Sequence, residues 1–217
     1  MAVVFDMDGV ILDSEQLVVK CWQKIAGKYN IENIEKFCMA ALGLNREAAK
    51  KLFVQMYDGR YGDEERYEVL KAEMSATFHR AAAEGELTLK TGVKDTLKSL
   101  TDEGIPCAIA TSTRREVVIP ELTNLGVIEY FDKLICGDMV ARSKPAPDIF
   151  LKACEELDVI PQETYAVEDS YNGVRSAHSA GMKVIMIPDL VQPNKEMREK
   201  ADYILPKIDD IKKIVLS

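Results

Sequence analysis

Residues 2–9 of the chain read AVVFDMDG, an apolar run that ends in two carboxylates and a glycine. A short run that is apolar at consecutive positions is typical of a parallel strand buried on both faces. Asp6 and Asp8 follow at its end, where a spacing of two residues lets both side chains face the same side. Gly9 lacks a Cβ where the chain must turn and a ligand must approach. This segment therefore predicts a first strand that delivers two carboxylates to a site.

Further apolar runs follow, and amphipathic, helix-like stretches separate most of them. They span residues 107–111, 133–136, 165–167, 183–187 and, more weakly, 203–205. Gly104, Gly126 and Gly181 lie where the intervening helices should end, as C-terminal capping glycines do. Alternation of buried strands and helices predicts an α/β fold with a doubly wound, Rossmann-like parallel sheet.

One long segment breaks this alternation. Helical patterns at residues 16–28, 46–57 and 63–84 follow one another with no convincing strand between them. The simplest interpretation is an all-helical cap domain at residues 14–87, inserted into an α/β core made of residues 1–13 and 88–217. Because the chain crosses between the domains through two short linkers, the two domains could hinge against each other.

The bulk composition excludes several classes of protein. The 217 residues are 47% hydrophobic and 29% charged, which is ordinary for a globular chain, and the net charge of −8 disfavours nucleic-acid binding. There is no dense Lys/Arg run, membrane-spanning apolar stretch or signal peptide, so we expect no membrane partner and a cytoplasmic location. The five cysteines include no CxxC pair, which favours buried free thiols. The oligomeric state stays open.

Polar residues suited to phosphoryl transfer follow the predicted strands. Because ligands bind at the carboxyl ends of parallel strands, these residues should meet in one crevice. They are Asp6, Asp8, Thr111 with Ser112 and Thr113, Lys144, Glu168 and Asp169. Mg²⁺ prefers hard oxygen ligands, which Asp6, Asp169 and a backbone carbonyl at Asp8 would supply.

These side chains can be given chemical roles. The carboxylate of Asp6 would attack phosphorus, and Asp8 would act as the general acid and base. Lys144 would offset charge on the phosphoryl oxygens, while the Thr111 hydroxyl would donate a hydrogen bond to them. A helix that starts near Ser112 would add backbone N–H donors for the substrate.

Four motifs, in order and spacing along the chain, resemble those of the haloacid dehalogenase superfamily. They are residues 6–10 (DMDGV), Thr111, Lys144 and the Glu168-Asp169 pair. Residues 143–148 (SKPAPD) and 168–170 (EDS) are similar to the beta-phosphoglucomutase-like branch, whose members carry a helical cap inserted after the first motif. Each motif alone is a weak signal, because acidic residues in turns and solvated loop lysines are common; together they are specific.

The resemblance implies Asp6 as the nucleophile, Asp8 as acid/base, and Mg²⁺ held by Asp6, Asp8 and Asp169, with Glu168 close to the metal. The expected reaction is magnesium-dependent hydrolysis of a small phosphorylated metabolite, with a sugar phosphate as one candidate. In the cap, residues 43–47 (GLNRE) match the position of the branch's substrate-contacting loop. Arg46, and more weakly Lys71, would then bind substrate; alternatively Asn45 caps a helix and Arg46 is solvated.

Three other functions fit part of the pattern. A phosphomutase of the same branch would carry a histidine where this chain has Val18. A haloacid dehalogenase would keep Asp6 but requires neither a second acid nor a metal, so Asp8 and Asp169 argue against it. A non-turnover phospho-aspartate signalling module would also combine Asp, Thr, Lys and Mg²⁺, but the inserted cap and the acid/base Asp8 make it the least favoured.

Overall fold

The chain forms a six-stranded parallel sheet flanked by helices, and the computed structural model describes residues 1–41, 44, 46–57 and 61–216. The strands are β1 (Val3–Phe5), β2 (Cys107–Ala110), β3 (Lys133–Ile135), β4 (Tyr165–Glu168), β5 (Lys183–Met186) and β6 (Tyr203–Ile204). Their order across the sheet is β3-β2-β1-β4-β5-β6. Each predicted apolar run coincides with one of these strands to within one residue at each end, and the predicted fold class is confirmed.

The helices are α1 (Ser14–Tyr29), α2 (Ile34–Ala41), α3 (Arg46–Met56), α4 (Glu64–Ala83), α5 (Val93–Asp102), α6 (Arg115–Asn124), α7 (Asp148–Leu157), α8 (Tyr171–Ser179), α9 (Lys195–Lys200) and α10 (Lys212–Val215). Gly104, Gly126 and Gly181 adopt positive φ just after helices, as predicted for capping residues. Sequence patterns did not predict α2, which is only eight residues long.

The chain divides into two compact units: residues 1–12 with 89–217, and residues 13–88. We call them the core unit and the helical unit. The division lies one residue from each of the boundaries expected from sequence. Within the core unit, next to the points where the chain passes to the helical unit, Leu12 and Leu89 form an antiparallel β-bridge. The Lys90 amide donates a hydrogen bond to the Ile11 carbonyl at 2.9 Å.

Each unit has its own apolar interior. In the core unit, β1, β2 and β4 are buried along their whole length, as expected for strands covered on both faces. In the helical unit, Phe37 lies at the centre of an aromatic cluster, with its ring centroid 5.5 Å from that of Trp22 and 5.1 Å from that of Phe53. The five cysteines are free and buried, as predicted. Within the described ranges, no helix has both the length and the apolar character needed to cross a membrane.

Candidate active site

The register of the sheet brings three strand ends level. Phe5 of β1 pairs with Ile109 of β2 on one side and with Val167 of β4 on the other. The residues that follow these pairs therefore lie side by side at the carboxyl edge of the sheet. They are Asp6, Ala110 with Thr111, and Glu168 with Asp169. The central position of β1 places Asp6 between the polar residues of both neighbouring strands.

Lys144 joins these strand ends. Its ammonium lies 2.5 Å from Asp6 Oδ1 and 2.6 Å from Glu168 Oε1, and donates to the Ala110 carbonyl at 2.9 Å. The side chain is only 7% exposed. Burial alone would lower the pKa of Lys144, but the charges of Asp6 and Glu168 outweigh it and raise the pKa above its ordinary value. Lys144 therefore stays positively charged at the base of the site.

Asp6 has an unusual electrostatic environment. Burial raises the pKa of its carboxyl group above the ordinary value; the charge of Lys144 opposes this rise, and Glu168 and Asp8 add to it. Asp6, Glu168 and Asp169 place three carboxylates beside the ammonium of Lys144, so this cluster carries excess negative charge when all of them are ionised. A bound cation would relieve that excess, which also favours the ionised form of Asp6 that a nucleophile needs.

Three buried carboxylates form a cluster that could hold a metal ion. Asp6, Glu168 and Asp169 each offer one oxygen, and these oxygens lie within 4.8 Å of one another. Gly9 has φ of 80°, and a Cβ at this position would collide with the Asp169 carboxylate. A glycine at position 9 is therefore required both by the turn and by the close approach of Asp169. Hard oxygen donors and excess negative charge both fit a divalent cation.

Glu168 has a second task that sequence patterns did not reveal. Its Oε2 accepts from the amides of Asp169 and Ser170 at 3.1 and 3.2 Å, and from the Ser170 hydroxyl at 3.0 Å. Its Oε1 accepts from Lys144. A Cβ on Gly173 would overlap this carboxylate, so the helix α8 packs directly against it. Glu168 thus fixes the Lys144 ammonium, and its predicted place near the metal stays a prediction.

Asp8 lies apart from the three-carboxylate cluster. Its Oδ2 accepts a hydrogen bond from the Thr113 hydroxyl at 2.9 Å. The amide of Thr113 in turn donates to Thr111 Oγ1 at 3.0 Å, which leaves the Thr111 hydroxyl hydrogen able to donate elsewhere. The structure therefore connects Asp8 and Thr111 through Thr113, which sequence analysis placed at the same strand end but to which it gave no chemical role.

The helix predicted to begin near Ser112 begins at Arg115 instead, so that prediction was wrong. The reason lies in the turn, where the Thr113 amide binds Thr111 Oγ1 and the Thr113 carbonyl accepts from the Gly137 amide at 3.0 Å. These backbone groups are bound outside any helix. Ser112 is exposed, and its carbonyl lies where a Cβ on Gly137 would be. Its role in substrate binding stays a prediction, without the helix N-terminus that motivated it.

Glu121 on α6 is a further acid that sequence analysis missed. It is half-buried, and burial, followed by the negative charge of Asp8, raises the pKa of its carboxyl group from 4.5 to about 7. Between pH 4.5 and about pH 7, Glu121 therefore keeps its proton in the folded protein but has lost it in the unfolded chain. The free energy of unfolding falls as the pH rises through this window.

Glu121→Gln is therefore expected to unfold at higher urea concentration than the wild type at pH 8, with no gain at pH 4. After allowance for solvent screening, we expect a gain of about 1–2 kcal/mol in the free energy of unfolding at pH 8. The control is Glu116→Gln on the same helix, where the glutamate side chain is 75% exposed. Equal behaviour of the two variants at pH 8 would contradict the assignment.

The cap residues predicted to bind substrate lie in the helical unit. Arg46 and Lys71 line a cavity of about 330 Å³ together with Glu15, Val18, Trp22 and Cys38. Arg46 forms an ion pair with Glu68. Burial, and then the positive charge of Arg46, lowers the pKa of Lys71. Gly43 and Asn45 of the predicted substrate loop lie outside the described residues, so the alternative that Asn45 caps a helix stays a prediction.

Known proteins resemble this chain in sequence and in fold. The sequence profile of the haloacid dehalogenase-like hydrolases matches residues 3–187. A relative named "Phosphorylated carbohydrates phosphatase", from Thermotoga maritima, is 28% identical over 97% of this chain and 95% of its own length. "Beta-phosphoglucomutase" from Bacillus subtilis is 30% identical over 83% of this chain and 80% of its own length.

A solved structure agrees with these sequence relationships. CbbY from Rhodobacter sphaeroides, in complex with phosphate, superposes with a TM-score of 0.74 at 28% identity, covering 97% of this chain and 95% of that chain. The predicted resemblance to the beta-phosphoglucomutase-like branch is confirmed by the Bacillus relative. Because the family's sequence profile matches residues 3–187, which is most of the chain, the chain belongs to the haloacid dehalogenase-like hydrolase family.

Proposed function

We propose that the chain hydrolyses a phosphate monoester of a small polar metabolite through an aspartyl-phosphate on Asp6. The observation that carries this proposal is the buried Lys144 ammonium, within 2.6 Å of both Asp6 and Glu168 at the carboxyl edge of the sheet. The protein is a phosphoric monoester hydrolase, in keeping with the phosphatase named among its relatives. A sugar phosphate is the substrate class that this name favours.

In the first step, an oxygen of Asp6 attacks phosphorus and the bond between phosphorus and the leaving oxygen breaks. Asp8 donates a proton to that oxygen, so that the product departs as an alcohol. Lys144 stabilises the negative charge on the phosphoryl oxygens, and the Thr111 hydroxyl donates to one of them. Lys144 requires no rearrangement for this task, because Glu168 and the Ala110 carbonyl already hold its ammonium.

In the second step, Asp8 takes a proton from a water molecule whose oxygen attacks the phosphorus of the aspartyl-phosphate. The bond between phosphorus and Asp6 breaks, which releases inorganic phosphate and restores the Asp6 carboxylate. Asp8 thereby returns to the protonated form with which the cycle began. The same carboxyl group serves as acid and then as base, as its position two residues from the nucleophile allows.

Mg²⁺ is the cation proposed for the acidic cluster, with Asp6, Asp169 and the backbone carbonyl of Asp8 as ligands and Glu168 close by. When bound, it would offset charge on the phosphoryl group during transfer. Arg46, Lys71 and Ser112 are proposed to bind the rest of the substrate. A phosphomutase is the second candidate, favoured by the relationship to the Bacillus beta-phosphoglucomutase and disfavoured by Val18.

The test is release of inorganic phosphate from a panel of sugar phosphates, nucleotides and 4-nitrophenyl phosphate, with Mg²⁺ and with chelator. We expect release that requires the divalent cation, with one class of substrate preferred. Absence of release from every compound would contradict the proposal. Conversion of one hexose phosphate isomer into another, without net release, would favour the phosphomutase.

A further inference from the structure

We infer that Thr113 is a positioning residue, which holds Asp8 in the orientation needed to protonate the leaving group. The inference rests on the proposed function and adds to it a residue outside the four motifs. Thr113 connects to the site through its hydroxyl, which donates to Asp8 Oδ2 at 2.9 Å. A hydroxyl that donates to one carboxyl oxygen assigns that oxygen the role of acceptor, so the transferable proton lies on Asp8 Oδ1.

The backbone around Thr113 is held on two sides. Its amide donates to Thr111 Oγ1, and its carbonyl accepts from the Gly137 amide, each at 3.0 Å. Gly137 can approach this turn only because it lacks a Cβ, whose place the Ser112 carbonyl occupies. The turn is thus bound to the loop after β3 as well as to β2. A hydroxyl on such a fixed backbone can restrain the side chain it contacts.

Asp8 needs this restraint more than Asp6 does. Lys144 holds the Asp6 carboxylate, and both of these side chains are deeply buried. Asp8 is only half-buried, and its carboxyl group is held by the hydrogen bond from the Thr113 hydroxyl instead of by an ammonium. An acid that must deliver a proton to a departing oxygen loses efficiency when its carboxyl group can rotate away, because general acid catalysis depends on geometry.

The consequence is a dependence on the leaving group. In the first step, a proton passes from Asp8 Oδ1 to the leaving oxygen as the bond between that oxygen and phosphorus breaks. An alkoxide from a sugar phosphate requires that proton, whereas 4-nitrophenolate leaves readily without one. Loss of the Thr113 hydroxyl should therefore slow the first step for sugar phosphates and spare it for the aryl ester.

The test compares kcat/KM, which reports the steps up to departure of the leaving group, for the two kinds of substrate. In Thr113→Val, kcat/KM for the best sugar phosphate of the panel should fall about 10–100-fold, while that for 4-nitrophenyl phosphate changes less than about threefold. Thr113→Ser, which keeps the donor, should restore the sugar phosphate value. Thr123→Val is the matched control, because its hydroxyl donates to the Ile119 carbonyl within α6 and not to Asp8.

Three outcomes would overturn the inference. An equal loss for both substrates in a folded Thr113→Val would show that the residue supports the turn rather than Asp8. Failure of Thr113→Ser to restore the sugar phosphate value would show that the hydroxyl is not the cause, even if the valine variant does not fold. A wild-type protein that releases no phosphate from any substrate would overturn the proposed function and this role together.

Discussion

Asp6→Asn is expected to abolish phosphate release while leaving the fold intact. The amide cannot attack phosphorus, so we expect turnover to fall by at least about 10³-fold, the order that loss of a covalent nucleophile costs. The oxygen of the amide can still accept from Lys144, and the substitution removes a carboxylate whose ionisation burial opposes. The variant should therefore melt at or above the temperature of the wild type, which thermal unfolding would measure.

Asp8→Asn provides the matched comparison for Asp6→Asn. With 4-nitrophenyl phosphate, which needs no acid, this variant should release a burst of nitrophenolate equal to the number of sites and then turn over slowly. Asp6→Asn should give neither the burst nor the turnover. A burst from Asp6→Asn would show that another residue receives the phosphoryl group.

Lys144→Met is expected to be the most destabilising of the substitutions considered for this protein. It leaves Asp6 and Glu168 buried without their cation, and breaking a buried charge cluster in this way costs about 3–5 kcal/mol. Urea unfolding at pH 8 in the presence of chelator would measure the loss, because no divalent cation can then replace the ammonium. The variant should also lose phosphatase activity.

Two further variants identify the cause of this loss. Lys144→Met combined with Glu168→Gln should recover part of the stability, since one buried charge is removed along with its partner. Lys98→Met, in an exposed pair with Asp102 whose side chains are 63% and 60% accessible, should change the free energy of unfolding by less than about 0.5 kcal/mol. If the double variant is no more stable than Lys144→Met, the lost contact with Glu168 is not what destabilises the protein.

The sequence predicted the strands well, because a buried parallel strand needs apolar residues at every position and few other segments have this pattern. β1 and β4 are examples: Asp6 and Asp8 come after β1, while β4 ends in Glu168 and Asp169 follows it. Helix limits were less predictable. α2 follows Asn30 and Asn33, both in the left-handed region, and these turn residues obscured a short helix.

The site itself was predictable only in part. The motif residues could be found because acids and a lysine follow predicted strands in a known order. The individual hydrogen bonds within the crevice could not be predicted: that from Thr113 to Asp8 joins residues 105 positions apart. The turn at Thr113 also consists of Ser and Thr, which are preferred at helix N-caps, so the sequence favoured a helix start near Ser112, whereas the helix begins at Arg115.

β1 is synthesised before the other five strands, yet it lies in the middle of the finished sheet. Its neighbours begin at Cys107 and Tyr165, so at 5–20 residues per second it waits for a time on the order of ten seconds before both can pair with it. The helical unit consists of contiguous residues and can fold during this wait. Meanwhile the apolar residues of β1 are exposed to other nascent chains, and the charges of Asp6 and Asp8 at its end act against self-association. The two carboxylates of the candidate site would thus protect the nascent chain from aggregation before the site is formed.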